Sequence, residues 1–94
     1  MAAIQRSDDG KKGVFYLEEN GSRIAEMTYV WAGDTRFIID HTEVFPGNEG
    51  RGLGKQLVAA AVAYARETGK HILPLCPFAK GVFQRTPAFA DVLT

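Results

Sequence analysis

Three side chains in this sequence are of types that move protons or form covalent bonds: His41, Glu43 and Cys76. An imidazole or a carboxylate can accept a proton from an amine or a thiol, and a cysteine thiolate can attack an acyl group. Cys76 precedes Pro77, a residue favoured at the first position of a helix, and the positive end of a helix dipole stabilises a thiolate. The chain therefore offers one candidate reactive thiol and two candidate bases.

His41 and Glu43 are two residues apart, so they share a face if this segment is a strand. Glu43 would then orient the ring of His41 or act as the base itself. Both His41 and Cys76 also have structural interpretations, because a single free cysteine is often a small buried hydrophobe and a strand histidine is often structural. A thiol redox motif would need a second cysteine, and the residues His41, His71 and Cys76 lack the short spacings of zinc ligands, so no metal site is predicted.

A glycine-rich segment, residues 49–55, separates a predicted strand from a predicted helix. Alternate glycines let the backbone approach an anion, and the N-terminus of a helix attracts negative charge. The phosphate-binding loop of P-loop NTPases does not fit, because it needs glycine and Ser or Thr where this chain has Glu49 and Gln56. The dinucleotide fingerprint fails because its third glycine would fall on Lys55 or Leu57. An anion site and an ordinary turn before a helix are the two interpretations that the spacing leaves.

Four segments have strand character: residues 13–18, 23–31, 37–45 and 71–76. The Asn20-Gly21 pair between the first two is the strongest short hairpin signal. Residues 23–31 alternate in the way a strand does, and Pro46-Gly47 ends the third segment. These features predict an antiparallel meander at the N-terminal side.

Residues from Leu53 onward change to helical spacing, and Gly69 stands where a left-handed C-terminal cap belongs. A second short helix is predicted over 77–85, with Pro77 at its first position. A strand, a helix and a strand in succession imply a right-handed crossover, so the third and fourth strands should be parallel neighbours beneath the helix. The predicted fold class is α/β (α+β), with a small mixed sheet and a short C-terminal helix.

Composition and charge exclude several functional classes. The 94 residues include 11 Lys+Arg and 11 Asp+Glu, which gives a formal net charge of +0. Nucleic-acid binders usually carry a basic excess, and the longest run of small apolar residues, 57–65, is shorter than the roughly 20 residues that span a bilayer. The first residues lack the features of a signal peptide, and one cysteine forms no internal disulfide. We therefore expect a single domain over residues 1–94, in the cytoplasm, with neither a nucleic acid nor a membrane as partner.

The glycines at 50, 52 and 54, after a strand that ends in Val44-Phe45-Pro46, resemble the pyrophosphate loop of the GNAT superfamily of N-acetyltransferases. The resemblance covers roughly residues 13–85 and is closest to the short, single-domain GNAT-like proteins, in which Cys-Pro-Phe or a similar segment follows the fourth strand. It implies binding of acetyl-CoA and transfer of its acetyl group to an amine. The cofactor-binding residues that it implies are Val44, Gly50, Arg51, Gly52, Leu53, Gly54 and Lys55.

Two positions bear on that resemblance. The family usually has Gln or Arg where this chain has Glu49, which brings a carboxylate near the expected phosphates unless it turns away or pairs with Arg51 or Lys55. The second position, Pro74, concerns the two central parallel strands, which part in the family so that the pantetheine arm enters the gap between them. Pro74 suits such a strand, because proline donates no hydrogen bond, but it equally suits an ordinary edge strand.

The tyrosine that commonly protonates the departing CoA thiolate in this superfamily is missing from the predicted last helix. Two routes stay open. The amine attacks directly, with His41 or Glu43 as base and Cys76 as acid, or an acetyl-cysteine forms first on Cys76. The alternative function is a CoA-binding module with little or no catalysis. Because only a bare hairpin precedes the third strand, the acceptor is expected to be an exposed amine, such as a protein lysine or a polyamine.

Overall fold

The computed structural model describes residues 3–94 of the chain. The strands are β1 (Gln5–Asp8), β2 (Lys12–Glu19), β3 (Ser22–Trp31), β4 (Arg36–Val44) and β5 (His71–Pro74). The helices are α1 (Leu53–Thr68), α2 (Pro77–Arg85) and a short 3₁₀ helix, η1 (Pro87–Val92). One mixed sheet and the helices on it make the fold α+β, as predicted.

The five strands lie in the order in which they occur along the chain. Strands β1 to β4 pair antiparallel, and β4 pairs with β5 in parallel. Helix α1 connects the two parallel strands, which confirms the predicted crossover. At the β2–β3 turn, Asn20 and Gly21 both have positive φ, 52° and 79°. This is the backbone that a two-residue hairpin turn requires, so the predicted hairpin is also confirmed.

Strand β1 was not predicted from the sequence pattern. All four of its residues are exposed, so the alternation that would reveal a half-buried strand is missing. The strand is held by polar contacts instead. The hydroxyl of Tyr29 and the indole N–H of Trp31 both donate to Asp8 Oδ2, at 2.5 and 2.8 Å, and Arg6 donates to the Tyr29 hydroxyl at 2.8 Å.

The hydrophobic core lies between the sheet and the helices. Fully buried residues of the sheet, among them Leu17, Met27 and Ile39, share this core with the alanine-rich face of α1. Small side chains on that face let the helix approach the strands closely. Helix α1 ends at Thr68, and Gly69 caps it in the left-handed conformation, as predicted. The opposite face of the sheet carries no helix within residues 3–94.

The observed bounds of all four predicted strands differ slightly from the sequence-based ones, and the first two are extended by one residue at one or both ends. The third predicted strand extends over Arg36–Val44, and the last ends at Pro74, not at residue 76. No helix in the described part of the chain has both the length and the apolar character needed to cross a membrane.

Candidate functional site

A cleft of about 480 Å³ opens between the first turn of α1 and the face of α2. The end of β4 and the glycine-rich loop complete its wall. All of the predicted cofactor residues except Arg51 line it: Val44, Gly50, Gly52, Leu53, Gly54 and Lys55. The structure thus gathers the loop and the strand end around one cavity.

The gap beside this cleft is formed by the parting of β4 and β5. Their pairing ends at Ile39 and Pro74. The N–H groups of Leu75 and Cys76 both donate to the carbonyl of Ile39 at 3.0 Å, after which the chain turns into α2. Strand β4 continues to Val44 with no partner on the β5 side in the described structure. Pro74 therefore ends a strand that leaves its neighbour.

The glycine-rich loop presents free N–H groups at the start of α1. Gly50 and Gly52 have φ of 79° and 72°, in the left-handed region that favours glycine. Gly52 caps the helix without a side-chain hydrogen bond, and the first turn of α1 contains no acidic residue. The first N–H groups of a helix have no partner within the helix. An anion such as a phosphate would satisfy them and complement the helix dipole.

The two charged residues flanking Gly50 are both hydrogen-bonded within the protein, and Glu49 forms part of the cleft wall. Glu49 accepts a hydrogen bond from the N–H of Gly47 at 2.9 Å, so its carboxylate closes the preceding turn. Arg51 forms a bidentate ion pair with Glu19 at 2.5 and 3.1 Å and also donates to Asn48 Oδ1 at 3.0 Å. Hydrogen bonding to the guanidinium of Arg51 lowers the pKa of Glu19. Arg51 is thus tied to the β2–β3 hairpin and does not line the cleft.

The cations of the cleft are Lys55 and Arg85. Arg85 was not singled out from the sequence, since its approach to the loop depends on how α2 packs on α1. One signal pointed to it: Phe78, Val82 and Arg85 fall at helical spacing on α2, and all three line the cleft. Within residues 3–94, neither Lys55 nor Arg85 has a carboxylate partner within 4.0 Å.

Close contact between the two helices depends on Gly54. A Cβ atom at this position would lie 2.6 Å from the ring of Phe78, closer than real Cβ contacts allow. Phe78 is 42% exposed and forms part of the cleft wall. The third glycine of the loop therefore makes room for the aromatic ring, whereas Gly52 supplies the backbone conformation.

Cys76 caps the N-terminus of α2 and is buried, with 5% of its surface exposed. Its Sγ donates a hydrogen bond to Thr42 Oγ1 at 3.5 Å. Burial acts to raise the pKa of the thiol, but the hydrogen bonds that the thiolate accepts from the Thr42 hydroxyl and from the N–H groups of Ala79 and Phe78 outweigh it, and the pKa is lowered. The prediction of a thiol at a helix start is confirmed. Thr42 was missed, although its place between His41 and Glu43 puts it on the other face of the strand.

His41 and Glu43 lie on the uncovered face of the sheet. His41 Nε2 and Glu43 Oε1 are 3.4 Å apart, and both side chains are exposed. They pair in register with Thr28 and Glu26, and a bulge leaves Asp40 out of the backbone register, although its carboxylate accepts a hydrogen bond from the Thr28 hydroxyl at 2.6 Å. The structure brings His41 together with Glu43, and Cys76 together with Thr42, on opposite faces of β4. No group of three or more His, Cys, Asp or Glu side chains among residues 3–94 is arranged to hold a metal ion.

Residues 14–92 match the family model of the GCN5-related N-acetyltransferases. A GCN5-like protein from Staphylococcus aureus, solved by NMR, is 32% identical; the match covers 100% of this chain and 91% of that one, with a TM-score of 0.73. A ribosomal-protein-alanine N-acetyltransferase from Brucella melitensis shares the fold at 14% identity, with a TM-score of 0.70 over 82% of this chain and 62% of that one.

A third structure, an aminoglycoside N-acetyltransferase in complex with CoA, shares the fold at 14% identity. Its TM-score is 0.65, and the match covers 88% of each chain. The chain matches no curated protein sequence.

Proposed function

We propose that this chain, which belongs to the GCN5-related N-acetyltransferase family, holds acetyl-CoA in the cleft between α1 and α2 and transfers the acetyl group through the gap between β4 and β5. Family membership establishes an acyltransferase with acetyl-CoA as co-substrate and an amine as acceptor. The proposal places that activity on particular residues. One acetyltransferase domain spanning residues 1–94 is part of it, supported by the single core of the described residues.

The main support for the proposed cofactor site is that the glycine-rich loop borders the cleft at the start of α1. Gly52 leaves the first N–H groups of α1 without a side-chain cap, and Lys55 adds a positive charge in the same turn. The phosphates of acetyl-CoA would bind there. The unpaired edge of β4 up to Val44 supplies backbone groups that can hydrogen-bond to the amides of the pantetheine arm.

The acetyl group would then lie near the gap, with Cys76 on one side of β4 and His41 with Glu43 on the other. In direct transfer, the amine enters from the uncovered face and gives its proton to His41 or Glu43. The amine nitrogen attacks the thioester carbonyl, the C–S bond breaks, and Cys76 gives its proton to the departing CoA thiolate. The cysteine is then reprotonated from solvent.

In the covalent route, the Cys76 thiolate attacks the thioester and CoA leaves as its thiolate, which takes up a proton. The amine then attacks the acetyl-cysteine carbonyl, giving its proton to the base and releasing the Cys76 thiolate. The lowered pKa of Cys76 supports this route, since it increases the thiolate fraction. Mass spectrometry after incubation with acetyl-CoA alone separates the two routes, because only the covalent one leaves an acetyl group on Cys76.

The acceptor would be an exposed amine, such as a protein lysine or a polyamine. Two observations support this choice: no helix of the described residues, 3–94, covers the sheet face that carries His41, and the carboxylates of Glu26 and Asp40 lie on or beside that face. The formal net charge of +0 gives no support to a nucleic-acid or membrane partner. A free cysteine and the acetyl-CoA co-substrate favour the cytoplasm as the location.

The second candidate function is a CoA-binding module with little catalysis, and one observation favours it: α2 contains no tyrosine to protonate CoA. A panel of peptidyl lysines, polyamines and small amines, incubated with acetyl-CoA while free CoA is monitored, separates the two functions. Enzymatic release of CoA with at least one amine supports the transferase. Binding without release to any amine would support the module instead.

A further inference from the structure

Two arginines stand near the cleft, and their surroundings differ. Arg51 belongs to the glycine-rich loop but pairs with Glu19 on the β2–β3 hairpin. Arg85 belongs to α2, lines the cleft, and has no carboxylate partner within 4.0 Å among the described residues. We propose that Arg85, together with Lys55, binds the phosphates of acetyl-CoA, whereas Arg51 positions the loop through its ion pair with Glu19. This inference rests on the proposed cofactor site.

The contacts of Arg51 use most of its donor capacity. Both terminal nitrogens bond to the two oxygens of Glu19, and one of them also donates to Asn48 within the same loop. Bidentate arginine–carboxylate pairs are geometrically specific and hold both partners in one orientation. The pair joins residues 32 positions apart in sequence, so it fixes the loop against the hairpin. Moving Arg51 to a phosphate would leave the Glu19 carboxylate unpaired beside a second anion.

Arg85 is in the opposite situation. Other arginines of the chain, namely Arg6, Arg23, Arg51 and Arg66, each lie within 4.0 Å of a carboxylate. Arg85 folds back over Gly81 on its own helix, where a Cβ atom would lie 3.1 Å from its Nη1. Glycine thus leaves space for the guanidinium beside the cleft. The carboxylate lining this cleft, that of Glu49, is hydrogen-bonded to Gly47.

Lys55 on α1 and Arg85 on α2 therefore place two positive charges on the two helical walls of one cavity. A ligand with phosphate groups at separate points matches this arrangement, and acetyl-CoA carries a pyrophosphate and a 3′-phosphate. Hydrogen bonds between a guanidinium and a phosphate are charge-assisted and stronger than neutral ones. Cofactor affinity should consequently depend more strongly on the charge of Arg85 than on that of Arg51, whose charge acts only through its ion pair with Glu19.

The test compares Arg85→Gln with Arg51→Gln, which remove the same charge from the same kind of side chain. Acetyl-CoA affinity is measured by calorimetry at low and at physiological ionic strength. For Arg85→Gln we expect a loss of about tenfold, the size of a lost charge-assisted hydrogen bond, and a weaker dependence of affinity on salt. For Arg51→Gln we expect a loss of about fivefold or less, as for an exposed ion pair, and an unchanged salt dependence. Arg36→Gln is the control, since Arg36 contacts Thr94 and lies outside the cleft.

A charge swap isolates the role of Arg51. Arg51→Glu alone should weaken acetyl-CoA binding, and adding Glu19→Arg should restore most of the affinity because the ion pair re-forms with reversed polarity. An arginine that bound phosphate itself would not be rescued in this way. Failure of the rescue, or an Arg51→Gln variant that loses as much affinity and salt dependence as Arg85→Gln, overturns the inference.

A second variant, Gly52→Val, distinguishes a wrong assignment of Arg85 from a wrong location of the cofactor site. If Gly52→Val weakens binding while Arg85→Gln does not, the cleft holds the cofactor and only the assignment of Arg85 is wrong. If Gly52→Val also has no effect, the proposed site is wrong and this inference falls with it.

Discussion

The Sγ of Cys76 lies 3.5 Å from the hydroxyl of Thr42, on the face of β4 opposite to the His41–Glu43 pair. Together with the N–H groups at the start of α2, this hydroxyl lowers the pKa of a thiol that burial alone would raise. The proposed sites for the acetyl group and for the amine proton are therefore separated by the thickness of one strand. Substitutions of Cys76 and of His41 should therefore affect different steps of the proposed reaction.

Cys76 should be a thiolate at lower pH than a free cysteine. Because a lowered pKa extends the thiolate form to lower pH, alkylation by a small reagent should reach half its maximal rate below the ordinary thiol value of about 8.5. Thr42→Val removes the hydroxyl at similar volume and should shift this midpoint upward, whereas Thr42→Ser should keep it. A profile of the unmodified protein that matches a model thiol would rule out activation.

His41→Ala and Cys76→Ser should lower acetyl transfer without altering acetyl-CoA affinity. Each loss should be about 10²-fold or more, the usual contribution of a general acid or base. Affinity should hardly change, because in the proposed site backbone groups and the cleft cations hold the cofactor. His71→Ala is a matched control, since His71 is exposed at the far end of the parallel pair. Full activity in both variants would refute the catalytic assignment.

Tyr29 should make the stability of the fold sensitive to high pH. Burial and the hydrogen bond to Asp8 raise its pKa from 10.0 to about 12. Between these values the unfolded chain has lost the phenol proton and the folded chain keeps it, so the free energy of unfolding should fall as pH rises through this range. Tyr29→Phe should remove this component and cost about 1–3 kcal/mol at neutral pH, by leaving Asp8 with fewer partners.

Denaturant unfolding at pH 7 and at several values above pH 10 provides the measurement. Tyr16→Phe is the control, because among the described residues the Tyr16 hydroxyl has a single hydrogen bond, a long one of 3.4 Å to Gln5. If Tyr29→Phe and Tyr16→Phe behave alike, the hydrogen-bond network around Asp8 does not stabilise β1 in the way described.

Most of the fold followed from local sequence patterns. The hairpin at Asn20-Gly21, the helix that starts at Leu53 and the crossover are encoded by turn residues and hydrophobic spacing, which act over short distances. Strand β1 carries no such pattern, since its residues are exposed and polar contacts hold it. Bulges are equally hard to read from a sequence, so the irregular register of β3 and β4 at Asp40 was not expected.

The candidate site was only partly predictable, because local patterns place some of its residues and long-range contacts place the others. Alternation placed His41 and Glu43 together, and the helix rule placed Cys76 at the start of α2. The partners of Arg51 and Arg85 depend on contacts between distant segments, which neither spacing nor composition reports. The sequence pattern grouped Arg51 with the loop, but Glu19 on the hairpin holds its guanidinium.

The most direct test of the central claim, that acetyl-CoA binds at the glycine loop, is the calorimetric affinity of Gly52→Val compared with that of Gly33→Val. Both glycines have positive φ, 72° and 78°, and open space around them, so the two substitutions impose similar backbone strain. Only Gly52 lines the cleft. We predict a loss of about tenfold or more in acetyl-CoA affinity for Gly52→Val and unchanged affinity for Gly33→Val, with both variants folded by circular dichroism. Equal affinity of the two folded variants would contradict the account.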